Sequence, residues 1–189
     1  MISIYVPSIE QFFNISNTEF GSIYAIATIG SALTLPWLGA YFDKVNTKTY
    51  SLLVILGLFI ALLTLSFSYH ILLLIIAFYT LRLFGQGLLS HTSVSSMARY
   101  FSVGRGRAIG VSGLGHPAGE AILPIIITLL ISAYGWRASL QISALISLLI
   151  LAPLSIVLLN KSKIRIRAYN FKNKAADSLS VKMKYSKLL

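Results

Sequence analysis

"TYSLLVILGLFIALLTLSFSYHILLLIIAFYTL", Thr49 to Leu81, runs for 33 residues without an Asp, Glu, Lys or Arg. A helix crosses a bilayer core of about 30 Å with roughly 20 apolar residues at about 1.5 Å each. The stretch is too long for one crossing and too apolar for water. It divides at "SFSYH", Ser66 to His70, the one polar cluster before Arg82. Two spans are therefore expected, at about 50–67 and 71–94.

The pattern repeats on both sides. Glu19 to Asp43 encloses 23 uncharged residues, Arg107 to Arg137 encloses 29 interrupted only by Glu120, and Arg137 to Lys161 encloses 23. These give further spans at about 19–42, 107–133 and 138–159. The whole chain is 56% hydrophobic and 11% charged, with mean hydropathy +0.79. A soluble domain carries about a quarter charged residues. An all-α polytopic membrane helix bundle with five full transmembrane helices is predicted for residues 1–160, followed by a basic tail at 161–189. "MISIYVPSIEQFF", residues 1–13, reads as a partial first helix, because so few residues reach only about 20 Å. It lacks the basic start of a signal peptide. A short interfacial helix is the alternative reading. The chain has no cysteine, which excludes disulfides, thiolate zinc sites and a thiol nucleophile. No metal, no cofactor and no catalytic residue is expected.

The formal net charge of +11 suggests nucleic acid until it is mapped. Lys44 and Lys48 follow the first full span, Arg99, Arg105 and Arg107 follow the third, and nine Lys and Arg lie in the tail. Fourteen of the 16 basic residues thus fall on one side, leaving Arg137 opposite and Arg82 inside a span. Such asymmetry is the positive-inside signature of a cytoplasmic face. It predicts a multi-pass protein of the plasma (inner) membrane, with residues 1–18 outside and a lipid bilayer rather than nucleic acid as its surroundings. "NIS" at Asn14 to Ser16 has the glycosylation spacing, but Ser16 and Glu19 also have capping-box spacing, and the cap is preferred.

Charges near mid-membrane are costly and usually face a cavity or a partner. Arg82 and Glu120 qualify. Arg82 lies roughly 16 Å and Glu120 roughly 20 Å below the same boundary, so they are expected to pair or to frame one site. Arg82, Gln86, Ser90 and Ser93 recur at helical spacing, and Tyr24, Thr28 and Ser31 form a milder stripe. His116 and Glu120 are four apart and share a face. Gly115 and Gly119 form a G-x-x-x-G face where a neighbouring helix can approach closely. Pro117 and Pro124 are expected to bend their helix beside a polar cavity, which a membrane bundle tolerates.

These motifs resemble the major facilitator superfamily. "GAYFDKVNTK", Gly39 to Lys48, is similar to its loop signature G-x-L-a-D-r-x-G-r-k: Gly39, Asp43, Lys44 and Lys48 fit, while Tyr41, Asn46 and Thr47 depart from it. Arg82 in "RLFGQG" matches the family arginine, with the Gln-Gly pair one residue late, so Gln86 enters on spacing alone. Gly115 and Gly119 fit G-x-x-x-G-P-x-x-G-G, with Pro117 shifted and Glu120 in place of the last glycine. "YFSVGRGRAIG" and "GWR" look like the organic-acid and monocarboxylate-like branches. The resemblance implies the N-terminal half of a twelve-helix transporter. It implies a cytoplasmic gate at Asp43, Lys44 and Lys48, with Arg82 as an anion or coupling site and Glu120 as a proton or pairing site. Arg82 with His91 and His116 favours a small carboxylate, with a proton as coupling ion. Two other readings stand beside it. One is a half-transporter or remnant that pairs with a complementary half or with itself. The other is an intramembrane serine protease, because "GVSG" around Ser112 matches a rhomboid pattern.

Overall fold

Residues 2–101 and 104–160 are described by a computed structural model, and among them every regular element is helical. The basic tail at 161–189 lies outside the described residues. After a 3-10 turn at Ile2–Ile4 comes α1 (Val6–Phe13), which ends at Asn14 in the left-handed region, φ 51°. The helix α2 (Asn17–Lys44) opens with the expected capping box. Ser16 Oγ accepts the Glu19 N–H at 3.3 Å, and the Glu19 carboxylate accepts the Ser16 N–H at 2.8 Å. The serine of the "NIS" triplet is therefore engaged as a cap. At α3 (Thr47–Ser66), Asn46 Oδ1 accepts the Lys48 N–H and begins the next helix.

The helix α4 (Ile71–Tyr100) continues past residue 94, where loss of hydropathy suggested an end. Its polar last turns, including Arg99, remain helical because they pack on α2 and α3. At Arg82–Leu88 it widens into a π-helix. The last two spans form α5 (Arg105–Gly113) and α6 (Gly115–Ile146), which runs on through a π stretch at Ser147–Leu151 to residue 160. Pro117 accounts for the break between α5 and α6. It has no N–H to offer the Gly113 carbonyl, and its ring crowds that carbonyl. Pro124 sits inside α6 and likewise withholds an N–H from the Glu120 carbonyl.

By length and hydropathy alone there are four spanning helices, the last covering 56 residues from Arg105 to Asn160. That helix is twice too long for one crossing. At Gly135, φ 80° and ψ 165° depart from helical geometry, a conformation that a Cβ would strain. Two helical arms meet there at a kink. The arm before it packs α5 against the end of α4, while the arm after it lies along α3.

Helices in lipid gain little from hydrophobic burial against each other, so close packing of small and large side chains must hold them. Gly57 shows this directly: a Cβ there would come 2.3 Å from the Phe84 ring, so only glycine lets that ring seat on α3. Ala27, Ala61, Ala77 and Ala144 are buried. One apolar cluster joins Ile9, Phe20, Leu65, Phe78, Ile127 and Leu140 near the Tyr69 end, and another joins Phe42, Tyr50, Val54 and Leu83 near the Lys48 end.

At the Tyr69 end, Arg137 fastens three segments together. Its guanidinium lies 4.1 Å from the ring centres of both Phe12 and Tyr69 and 4.8 Å from Trp136. It also donates to the Ser68 carbonyl at 2.7 Å. The Arg137 carbonyl accepts from Ser66, whose hydroxyl accepts from Gln141. The sequence marks Arg137 as the last residue of "GWR" and as the exception to the charge bias, with no sign of these aromatic partners.

Candidate functional site

α2 and α4 bring their polar residues together across one seam. Tyr79 donates to Thr34 Oγ1 at 2.9 Å, and its ring packs on Gly30. Below it in chain order on α4, Arg82 donates to the Tyr24 hydroxyl at 3.0 Å, and its guanidinium lies 5.2 Å from the Tyr24 ring centre. Arg82 also donates to Gln86 Oε1. The π stretch keeps this pair on one side of a widened turn, a distortion frequent at functional sites. Nothing in hydropathy announces a π-helix, although Gly85 and Gly87 flanking Gln86 lower the cost of leaving α geometry.

Arg82 does not pair with Glu120. Among the described residues the single ion pair is His116 with Glu120, Nε2 to Oε1 at 3.4 Å. Both side chains are largely exposed, at 70% and 61%. The depth argument placed Arg82 and Glu120 at similar heights, but height leaves rotation about the bundle axis undetermined. α4 directs Arg82 toward α2, while Glu120 lies on the sparsely packed arm of α6.

Gln86, Ser90 and Ser93 are exposed, so the stripe beyond Arg82 faces away from the described helices. The glycine face is open as well. A Cβ at Gly115 would meet nothing within 4 Å, and one at Gly119 only the side chain of Leu123, 3.5 Å away on the same helix. Pro117 is exposed beside them. No described helix exploits this close-packing face.

The loop motif sits at the α2–α3 turn. Gly39 is buried against His91, whose Nε2 would lie 3.5 Å from a Cβ there. Asp43 and Lys44 are exposed, and Lys48 is half-buried. Sequence reading missed the aromatic support behind them. Phe42, 1% exposed, stacks edge-on with Tyr50 at 5.2 Å and lies 5.9 Å from the Arg99 guanidinium. Tyr50 donates to the Leu38 carbonyl at 2.8 Å, and Arg99 reaches Thr47 Oγ1 at 3.4 Å. The signal was available as aromatic residues at the edges of charged loops.

Ser112, the candidate nucleophile, donates to the Ile109 carbonyl at 2.8 Å. His91 is bonded to Ser95 and His116 to Glu120, so neither histidine holds the serine proton. A general base within hydrogen-bond reach is what such chemistry requires.

A family model described as Major Facilitator Superfamily matches residues 1–185. The Hexuronate transporter of Bacillus subtilis (strain 168) is 28% identical over 151 residues, covering 78% of this chain and 35% of that relative. The chain therefore spans about a third of the length of the curated relative it matches. No solved structure matches it.

Proposed function

The chain belongs to the major facilitator superfamily, and from that premise we propose that it supplies one helical half of a secondary transporter for small organic anions. The observation that carries this reading is Arg82. Its guanidinium is held by Tyr24 and Gln86, with no carboxylate partner among the described residues. An arginine fork fixed by neutral oxygens keeps its charge available, and its planar donors match a carboxylate. A hexuronate is a carboxylated sugar, so the similarity to a hexuronate transporter agrees with a carboxylate cargo. Gln86, exposed beside Arg82, is placed to bond a cargo hydroxyl. His116 and Glu120 take the role of proton-coupling pair, as two titratable groups in contact at 3.4 Å. Asp43, Lys44 and Lys48 serve as the cytoplasmic gate beside Gly39.

The membrane is the plasma (inner) membrane, with the α2–α3 and α4–α5 connections and residues 161–189 on the cytoplasmic side. The charge bias supports this orientation. Reporter fusions after Lys48, Arg105 and Lys174 should read cytoplasmic and one at Tyr69 external. An external Lys48 would reverse the assignment.

Uptake by vesicles of the native membrane tests the cargo. Labelled hexuronate should accumulate saturably, and neutral hexose should not. Equal accumulation of the two would contradict the role given to Arg82.

A complementary helical half, or a second copy of this chain, completes the site. Leu114 and Ile122 are 64% and 58% exposed, and Gly115 between them meets no described helix. Purified in detergent, the 20.7 kDa chain should therefore migrate as an assembly. A monodisperse, protease-resistant monomer would contradict it.

A further inference from the structure

Where α4 ends at Tyr100 and α5 begins at Arg105, the two helices diverge around an open cleft of about 440 Å³. Met97 and Phe101 line it from one side, and Ala108 and Val111 from the other, together with Arg107 and Ser112. Ser112 already donates its proton to Ile109, which leaves Arg107 as the charged lining group. Arg105 stands at the same corner, its Nε donating to the Phe101 carbonyl at 3.3 Å. Neither arginine has a carboxylate partner among the described residues. The cleft thus combines an apolar wall with two uncompensated guanidinium groups, at the end of a spanning helix where hydrocarbon meets head groups.

We propose that this cleft is a binding site for one anionic phospholipid. An acyl chain lies along Met97, Phe101 and Val111, and the phosphodiester rests on Arg105 and Arg107. The acyl chain fills the space between the diverging helices as any tail would, and the arginines add what bulk lipid lacks, a fixed pair of cations for its phosphate. Arginine forks pair with phosphate oxygens in two parallel bonds, a geometry that a lysine point charge lacks. Basic pockets between membrane helices take anionic head groups for the same reason. The many basic residues of the tail attract such lipids too, but only diffusely. The apolar wall is what makes the cleft select one molecule.

Native mass spectrometry of the purified full chain tests this, with phosphatidylglycerol and phosphatidylcholine of identical acyl chains added in turn. One phosphatidylglycerol should stay bound under conditions that strip phosphatidylcholine. Arg105→Gln and Arg107→Gln should each weaken its retention about fivefold. Ala108→Trp, which keeps both arginines and fills the wall, should weaken it as well. Neutralising Lys182, Lys184 and Lys187 should reduce later adducts and spare the first. Melting curves matching the parent establish that each variant is folded, and Ala108→Leu replaces any tryptophan variant that melts early. Equal retention of the two lipids, or a first phosphatidylglycerol untouched by Arg107→Gln and by filling of the wall, would overturn the proposal. Displacement by excess glycerol phosphate would overturn it too, by assigning the cleft to a free phosphate.

Discussion

Arg82 and Glu120 carry opposite charge and are expected at similar depth, yet their surroundings share almost nothing. Around Arg82, α2, α3 and α4 meet through small-to-aromatic contacts: Gly57 under Phe84, Gly30 against Tyr79, and Tyr24 on the guanidinium itself. Around Glu120, glycines of equal promise meet no neighbouring described helix. Between residues 104 and 134 only Ile127 is buried. A glycine motif makes close approach possible but does not supply the neighbour. In lipid, where apolar contact with a helix is no better than contact with a tail, order follows from shape. The α2–α4 seam has its partner in the same chain, and the arm of α6 around Glu120 meets none among the described residues.

The largest effect that would sharpen this contrast belongs to Arg82. Arg82→Gln should lower hexuronate uptake at least about 30-fold, the scale of losing a charged, hydrogen-bonded anchor worth about 2–5 kcal/mol. Arg82→Lys, with the charge but not the fork, should fall between. Near-normal uptake by Arg82→Gln would remove the seam from the transport site.

Next in size is a pair of glycine substitutions read by thermal unfolding in detergent. Gly57→Ala would set its new Cβ against the Phe84 ring, must push that ring aside, and should cost about 1–3 kcal/mol, with Phe84→Ala restoring part of it. Gly115→Ala has open space within 4 Å and should be neutral or gain up to about 1 kcal/mol from helix propensity. Equal losses in both would break the distinction between the packed and the unpacked region.

Arg137→Gln should destabilise by about 1–2 kcal/mol through the lost ring contacts and the freed Ser68 carbonyl. Melting alone reads this, and no change would show that the aromatic nest does not hold the Tyr69 end together. The smallest stability effect falls on the exposed pair. Glu120→Gln and His116→Gln should leave melting within about 0.5 kcal/mol of the parent. Uptake in both should nonetheless lose its dependence on an imposed proton gradient. Gradient-driven uptake that persists would dismiss the pair from coupling.

Most of the fold was legible because charge spacing locates spans without any knowledge of packing. Thr49 to Leu81 divides at Ser66 to His70, and the helices end and begin there, at Ser66 and Ile71. The Ser16–Glu19 cap is a local event written in four consecutive residues. Less legible was anything that depends on rotation about a helix axis. Arg82 and Glu120 agree in depth yet diverge in direction, and the π stretch at Arg82–Leu88 shifts the face on which Ser90 and Ser93 emerge. Tyr24 was noted as one member of a mild stripe, with no sign that its hydroxyl would meet Arg82. Arg137 was hidden by its role in the charge count. Its value comes from Phe12 and Tyr69, which only folding brings beside it.

The central claim is that Arg82 is fixed by α2 and left free of Glu120, and a double-mutant cycle of thermal stability tests it most directly. Arg82→Leu should lower the melting temperature, because Tyr24 and Gln86 lose their donor. Glu120→Leu should change it little, and the double variant should match Arg82→Leu within about 0.5 kcal/mol, as independent sites do. A buried ion pair would behave otherwise, losing about 3–5 kcal/mol on either single removal. Comparable losses in both single variants with recovery in the double would contradict the account.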